Sequence, residues 1–210
     1  MQRWVLEQNI ARFQEYLAAE TDEASRSILQ SLLLQAEREL ALLKSASFGA
    51  RVGLAPFANG QTPRDNHNIS QFRRDLEKAP VPCLLLHPGR GLHIVDVNDT
   101  YARATMIDPA VVAGRRMFDV FPDNPDDPYA DGVSNLLRSL QIAAGTGLCH
   151  SMKIQRYDVR NADGVFVERY WRPRNTPILN DDGQLLYLLH RVEDVTGKVM
   201  YNPLHRPVIG

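Results

Sequence analysis

The sequence predicts an α+β fold: a five-stranded antiparallel sheet with helices on one side, preceded by an antiparallel helical hairpin. Two observations carry this. Apolar residues recur at helical spacing through residues 2–44. Over 81–197 the segments run strand, strand, helices, strand, strand, strand, an order that places helices against one side of an antiparallel sheet.

In the first helix, over 2–20, Leu6, Ile10, Phe13 and Leu17 form one stripe, with Glu7, Arg12 and Glu15 off it. At Thr21-Asp22-Glu23 a capping side chain precedes an acidic first turn, and a second stripe runs Leu29, Leu33, Ala36, Leu40, Leu43 over 22–44. Neither helix hides its stripe alone, so the two are expected to pack as a hairpin over 1–44. Leu32 and Leu34 leave further apolar surface, which suits contact with another subunit or with the rest of the chain; a wide stripe buried inside the hairpin is the alternative.

From Ser45 to about Ser70 the periodicity disappears and glycines, prolines and amides accumulate, which reads as a linker. A short helix from Ile69 to Lys78, with Phe72 and Leu76 four apart, is stopped by Pro80 and Pro82 and completes a linker region of 45–79. Strands are then expected at 83–87, 92–97, 148–159, 165–178 and 185–195, with turns at Pro88-Gly89, Asp163-Gly164 and Asp181-Asp182-Gly183. Between the second and third strands lie helical pieces at Asn98–Thr105 and Asp108–Gly114, a Pro- and Asp-rich loop over 119–128, and a longer helix from Tyr129 to Ala144. Val133, Leu136, Leu137, Leu140 and Ile142 mark that helix. Residues 198–210 form a tail.

With 24 basic and 25 acidic side chains the net charge is -1, so nothing draws the chain to nucleic acid or to an anionic membrane. The opening carries Arg3, Glu7 and Arg12 where a secretion signal would be apolar, and no uncharged apolar run approaches the ~18 residues of a membrane span. A cytoplasmic protein with a protein or small-molecule partner is expected. Cys83 and Cys149 lie in apolar stretches and read as two buried thiols. No phosphate-cradling glycine loop, paired-histidine motif or Gly-x-Ser-x-Gly elbow is present, so neither an enzyme nor a metal site is expected. The run Phe121–Pro128 lacks the EF-hand spacing and reads as a rigid solvated loop.

Four passages resemble a PAS sensor domain over 80–197. Leu92 to Tyr101 resembles its second strand running into a helix through Asn98-Asp99, and Val112-Ala113-Gly114-Arg115 its Gly-Arg turn. The Asp163-Gly164 hairpin with Trp171 and Pro177 resembles its fourth strand, and Val192-Glu193-Asp194-Val195-Thr196 its closing motif. The resemblance implies a sheet curled around a pocket, serving as a sensor, a dimerisation surface or both. At residue level Asn98 is expected to cap a helix, Gly114 to supply a left-handed turn, and Asp194 and Thr196 to end the sheet with hydrogen bonds.

The resemblance also bears on cofactors. The flavin-binding branch places a cysteine after the Gly-Arg turn and Asn, Asn and Gln on the last three strands; those positions carry over to Met117, near Val159, Arg172 and Val192, and all four groups are lost. The haem-binding histidine of the family would fall in Tyr129–Ala144, which has none. Flavin and haem are both disfavoured and no cofactor is expected, which leaves an unidentified small ligand open.

Strict alternation puts Leu186, Leu188, His190 and Val192 on one face, and the resemblance turns the Val192 face inward. An inward His190 could ligate a metal or haem, hydrogen-bond an acidic ligand, or be a neutral core histidine bonded to Tyr170 or Arg172. Arg172 and Arg174 share the parity of Tyr170; if internal they need an anion or acidic partners such as Asp158 or Glu168, if external they are solvated. The candidate ligand-binding residues are therefore His190, Arg172, Tyr170, Val192 and Met117.

The function expected is a sensory and dimerisation module in bacterial-type, two-component signal transduction. It would form a homodimer and relay the state of a ligand or protein partner through its flanking helices. A ligandless adaptor is the alternative, and a haem or metal sensor through His190 a minor one. Only 14 residues follow Thr196, so the output is expected from a downstream signalling protein or another domain of a longer chain.

Overall fold

The structure is a computed structural model that describes residues 2–48, 74 and 76–201. Helices α1 (Gln2–Ala19) and α2 (Glu23–Ala46) form the expected hairpin. Leu6, Ala36 and Leu40 are buried between them, with Ile10, Phe13 and Leu43 packed alongside. Asp22 caps α2 by accepting from Ser25 N (2.8 Å), and Arg26 donates to Leu17 O in the last turn of α1 (3.0 Å) and to Glu20 O just beyond it (2.8 Å). Most of the expected linker and the start of the Ile69–Lys78 helix lie outside the described residues; 76–78 are helical and Leu76 is buried.

The main sheet holds β1 (Cys83–His87), β2 (His93–Val97), β3 (His150–Ser151), β4 (Gln155–Arg156), β7 (Tyr170–Leu179) and β8 (Leu185–Asp194). Its order is β2-β1-β8-β7-β3, antiparallel throughout, with β4 also on β7. The expected third strand is thus broken into pieces. Pro173 accepts at its carbonyl from Met152 N (2.9 Å) but has no N–H to return, and the edge strand parts there into β3 and β4. Further on, β5 (Val159–Arg160) leaves the sheet to pair with β6 (Phe166–Val167) as a separate ribbon.

Helices α3 (Asp99–Thr105), α4 (Pro109–Val112), α5 (Met117–Val120) and α6 (Gly132–Thr146) lie between β2 and β3, and α7 (Thr196–Met200) follows β8. The long helix begins three residues later than expected, and its buried face ends on Ala143, with Ile142 exposed. The main core lies between these helices and the inner sheet face, around Leu84, Leu86, Leu140 and Leu188. The outer face of β1 and β8 is covered as well: Leu76 packs there on Cys83, Leu85, Tyr187 and Leu189.

The expected turn residues do their work. Asn98 caps α3, Gly114 sits at φ +79°, and Thr196 accepts at Oγ1 from Tyr170 N while its own N–H goes to Asp194 (both 2.9 Å). One thiol differs from expectation. Cys83 is buried but Cys149 is exposed on the edge next to β3, where its sulfur accepts from Arg174 Nε (2.8 Å). Burial raises that thiol, but hydrogen bonds from Arg174, Thr176 and Ser151 and the Arg174 charge more than offset this and lower it.

Part of the surplus apolar surface of α2 meets the rest of the chain. Ala41, and Phe48 just beyond the helix, join the main core, and Gly91 N donates to Ser45 O (3.0 Å). Trp4, Tyr16, Ile28, Leu32 and Leu42 stay exposed on the hairpin.

Candidate functional site

Between the inner sheet face and the helices lies a cavity of about 40 Å³. Tyr101 and Thr105 of α3, Met117 of α5 and Phe121 just after it form one wall; Gly132 and Leu136 of α6 form another. Trp171 and Pro173 of β7 and His190 and Val192 of β8 make the floor, and Met152, Gln155, Tyr157 and Val159 close the broken edge. Among the described residues no charged side chain lines it.

His190 shares the inner face with Leu188 and Val192, the direction the resemblance implies, and is 3% exposed. Its partner is neither Tyr170 nor Arg172. Nδ1 lies 2.7 Å from Oδ1 of Asn175, which stands directly opposite it in the β7–β8 register. The chain continues through Asn175 Nδ2 to Ser139 Oγ on α6 (2.6 Å) and from Ser139 to His150 Nδ1 on β3 (2.7 Å). Burial lowers His190 to about 4, so the ring is neutral at neutral pH. The Tyr101 ring meets it edge to face with centroids 6.0 Å apart, and burial raises the Tyr101 phenol.

The Tyr157 ring lies against Gly132, its hydroxyl donates to Phe121 O (2.5 Å), and its carbonyl accepts from Trp171 Nε1 (2.8 Å). A Cβ on residue 132 would fall inside that ring, so only glycine lets the tyrosine close the cavity there.

Met117 and Val192 line the cavity with His190, but Arg172 and Tyr170 do not. Along β7 it is Trp171, Pro173 and Asn175 that are buried, which turns Tyr170, Arg172 and Arg174 to the other face. Arg172 Nη1 pairs there with Glu193 Oε2 (2.9 Å), and the Tyr170 phenol is raised by burial and by its neighbour Glu168. The external reading of the arginines therefore holds. Of the four positions carried over from the flavin-binding branch, Met117, Val159 and Val192 line the cavity and Arg172 faces away.

Sequence reasoning missed Asn175. Its signal was an asparagine, a poor strand former, sharing the parity of Trp171 in the middle of a strand. Leu186 was also misplaced. It packs with the outer-face cluster, because a bulge where Ile178 pairs with Tyr187 and Leu179 with Leu185 breaks the alternation. Among the described residues no group of three or more His, Cys, Asp and Glu side chains is placed to hold a metal. No helix there is long and apolar enough to cross a membrane.

A sheet curled over a small, largely apolar cavity, with helices as its far wall, has the form of a sensor domain. The chain belongs to the PAS fold family, whose profile matches residues 76–199, more than half of its length. Among solved structures it is similar to a LOV protein of Rhodobacter sphaeroides, at 13% identity over 62% of this chain and 68% of that one, TM-score 0.47. It is also similar to the PAS domain of a Colwellia psychrerythraea protein (13%, 62% and 98%, TM-score 0.45). An RNA-binding light-oxygen-voltage receptor matches over 89% of this chain and 49% of its own, at 16% identity and TM-score 0.44. No curated protein matches the chain.

Proposed function

We propose that this PAS domain is a cytoplasmic sensory and dimerisation module in signal transduction, non-catalytic, in which the state of the cavity changes how α1 and α2 pack. One observation carries the reading: α6 belongs to both sites. Gly132 and Leu136 wall the cavity, while α2 packs on the same helix and Arg38 of α2 donates to Ala130 O (2.8 Å) just ahead of it. A ligand acts only as far as it binds one packing better than the other, so the mechanism is a population shift. The output goes to a downstream signalling protein or domain, of the two-component type. Flavin and haem are disfavoured on residue grounds: the flavin-contact positions hold Met117, Val159 and Val192 inside, and α6 has no histidine.

The hairpin supports a homodimer. Trp4 is 65% and Ile28 63% exposed, so apolar surface remains that neither the hairpin nor the domain covers. Sedimentation is expected to give a dimer of the 23.7 kDa chain that Ile28→Glu or Trp4→Glu weakens. A monomer at tens of micromolar would exclude it.

The small size of the cavity favours a second reading, an adaptor whose pocket is filled by its own Met117, Phe121 and Trp171. Hydrogen exchange on α1 and α2, with and without a cavity-binding compound, separates the two. The sensor requires hairpin protection to change, and the adaptor leaves it unchanged while a protein partner alters it.

A further inference from the structure

The hydrogen-bond chain behind His190 fixes which nitrogen the cavity meets. Asn175 Nδ2 donates to Ser139 Oγ (2.6 Å) and lies 3.8 Å from Met152 Sδ, which can only accept. That turns Asn175 Oδ1 toward His190 Nδ1 (2.7 Å). An amide oxygen accepts and never donates, so Nδ1 carries the hydrogen. Ser139 also meets His150 Nδ1 (2.7 Å), as donor or acceptor according to the His150 tautomer, and either direction leaves the Asn175–His190 step as stated. A neutral imidazole has one ring hydrogen, so Nε2 of His190 is left as a bare lone pair. It has no partner among the described residues, on a side chain 3% exposed that lines the cavity.

We propose that the cavity selects small uncharged molecules bearing a hydroxyl or N–H donor, of the phenol class, seated with that donor on His190 Nε2. Among the described residues an anion finds no cationic side chain on the walls and meets a lone pair, and a cation finds no carboxylate. The rings of Tyr101, Phe121 and Trp171 supply the flat apolar surround for an aromatic body. As lined, about 40 Å³ admits only a few atoms, so a ring enters by displacing Met117 and Met152, unbranched thioethers that repack at low cost. This rests on the reading of the cavity as a sensing site.

Calorimetry on the full chain with phenol, toluene and benzoate tests it. Phenol is expected to bind about tenfold tighter than toluene, the worth of one hydrogen bond, and His190→Leu to erase that preference. ¹⁵N spectra of the unsubstituted chain should show His190 with Nδ1 protonated and Nε2 bare, with Nε2 moving on phenol addition; this holds whether or not the variant folds. Toluene or benzoate binding as tightly as phenol, or a protonated Nε2, overturns the proposal. If benzoate binds best and His190→Leu abolishes it, the donor class falls while the sensing site stands. If none of the three binds, both fall.

Discussion

Arg38 Nε on α2 lies 3.1 Å from Oδ2 of Asp123, a carboxylate with a side chain 2% exposed just ahead of α6. The contact is an ion pair and not an aligned hydrogen bond; the aligned bonds of Arg38 go from Nη2 to Ala130 O (2.8 Å) and Asp127 O (3.5 Å). Asp123 Oδ1 accepts from Val133 N (3.0 Å), in the first turn of α6. Burial raises the Asp123 carboxyl, and the Val133 and Gly132 N–H groups and Arg38 act against it. One carboxylate thus faces the hairpin with one oxygen and the cavity helix with the other.

Removing Arg38 strands that carboxylate. Arg38→Met is expected to cost about 2–3 kcal/mol, because a buried charge loses its partner. Asp123→Asn keeps an acceptor for Val133 N and should cost less. The double variant should lose clearly less than the sum, since neither charge is then left alone. Urea unfolding of the four proteins measures this, and an additive pair would show that the contact does not tie α2 to α6.

Stability should fall in mild acid. Burial lowers both His190 and His87 to about 4, His87 with help from neighbouring His93, against an ordinary value of 6.5. Below pH 6.5 the unfolded chain takes up these protons and the folded chain does not, so stability is full above 6.5 and is lost as pH falls toward 4. For His190 alone this is roughly 3 kcal/mol across the window. His190→Leu should flatten the slope by about one proton, and an unchanged slope would mean that His190 titrates normally.

Asn98 should be among the most sensitive polar positions. It is 1% exposed, accepts at Oδ1 from Cys83 N (3.0 Å) and Tyr101 N (2.9 Å), and donates from Nδ2 to Val81 O (2.8 Å) and to Leu76 O and Ala79 O (3.2 Å each). It therefore ties β1, α3 and the 76–81 segment together. Asn98→Ala is expected to cost about 3 kcal/mol for the stranded groups. Asn98→Asp should cost more, because it sets a carboxylate against three carbonyls. Thermal unfolding in which the aspartate variant outlasts the alanine one would reverse the assignment of donor and acceptor sides.

The hairpin was legible from the local periodicity of Leu6, Ile10 and Phe13, and alternation put His190 on one face with Leu188 and Val192, but that this face turns inward came from the resemblance to the PAS family. What tertiary packing decides was not. That Tyr170 and Arg172 oppose Trp171 is written in the sequence; which side is inside depends on where the helices pack. The bulge that diverts Leu186 and the strand break at Pro173 arise only once β7 has partners on both edges. The chain His190–Asn175–Ser139–His150 joins β8, β7, α6 and β3, and no spacing in the sequence announces it.

The fit of Tyr157 against Gly132 gives the sharpest steric test. Gly132→Ala places a methyl inside the Tyr157 ring, so the ring must leave, breaking its bond to Phe121 O and uncovering Trp171 beside it. The expected cost is about 2 kcal/mol, from the lost hydrogen bond and the packing around it. Tyr157→Phe isolates the first part: it keeps the ring, loses only the hydroxyl, and should cost about 1 kcal/mol. Acrylamide quenching of tryptophan fluorescence then reads the cavity wall, in a Trp4→Phe background that leaves Trp171 as the one tryptophan of the chain. Quenching should rise in Gly132→Ala and stay at the parent level in Tyr157→Phe. Equal quenching in all three would show that the Tyr157 ring does not close this side of the cavity.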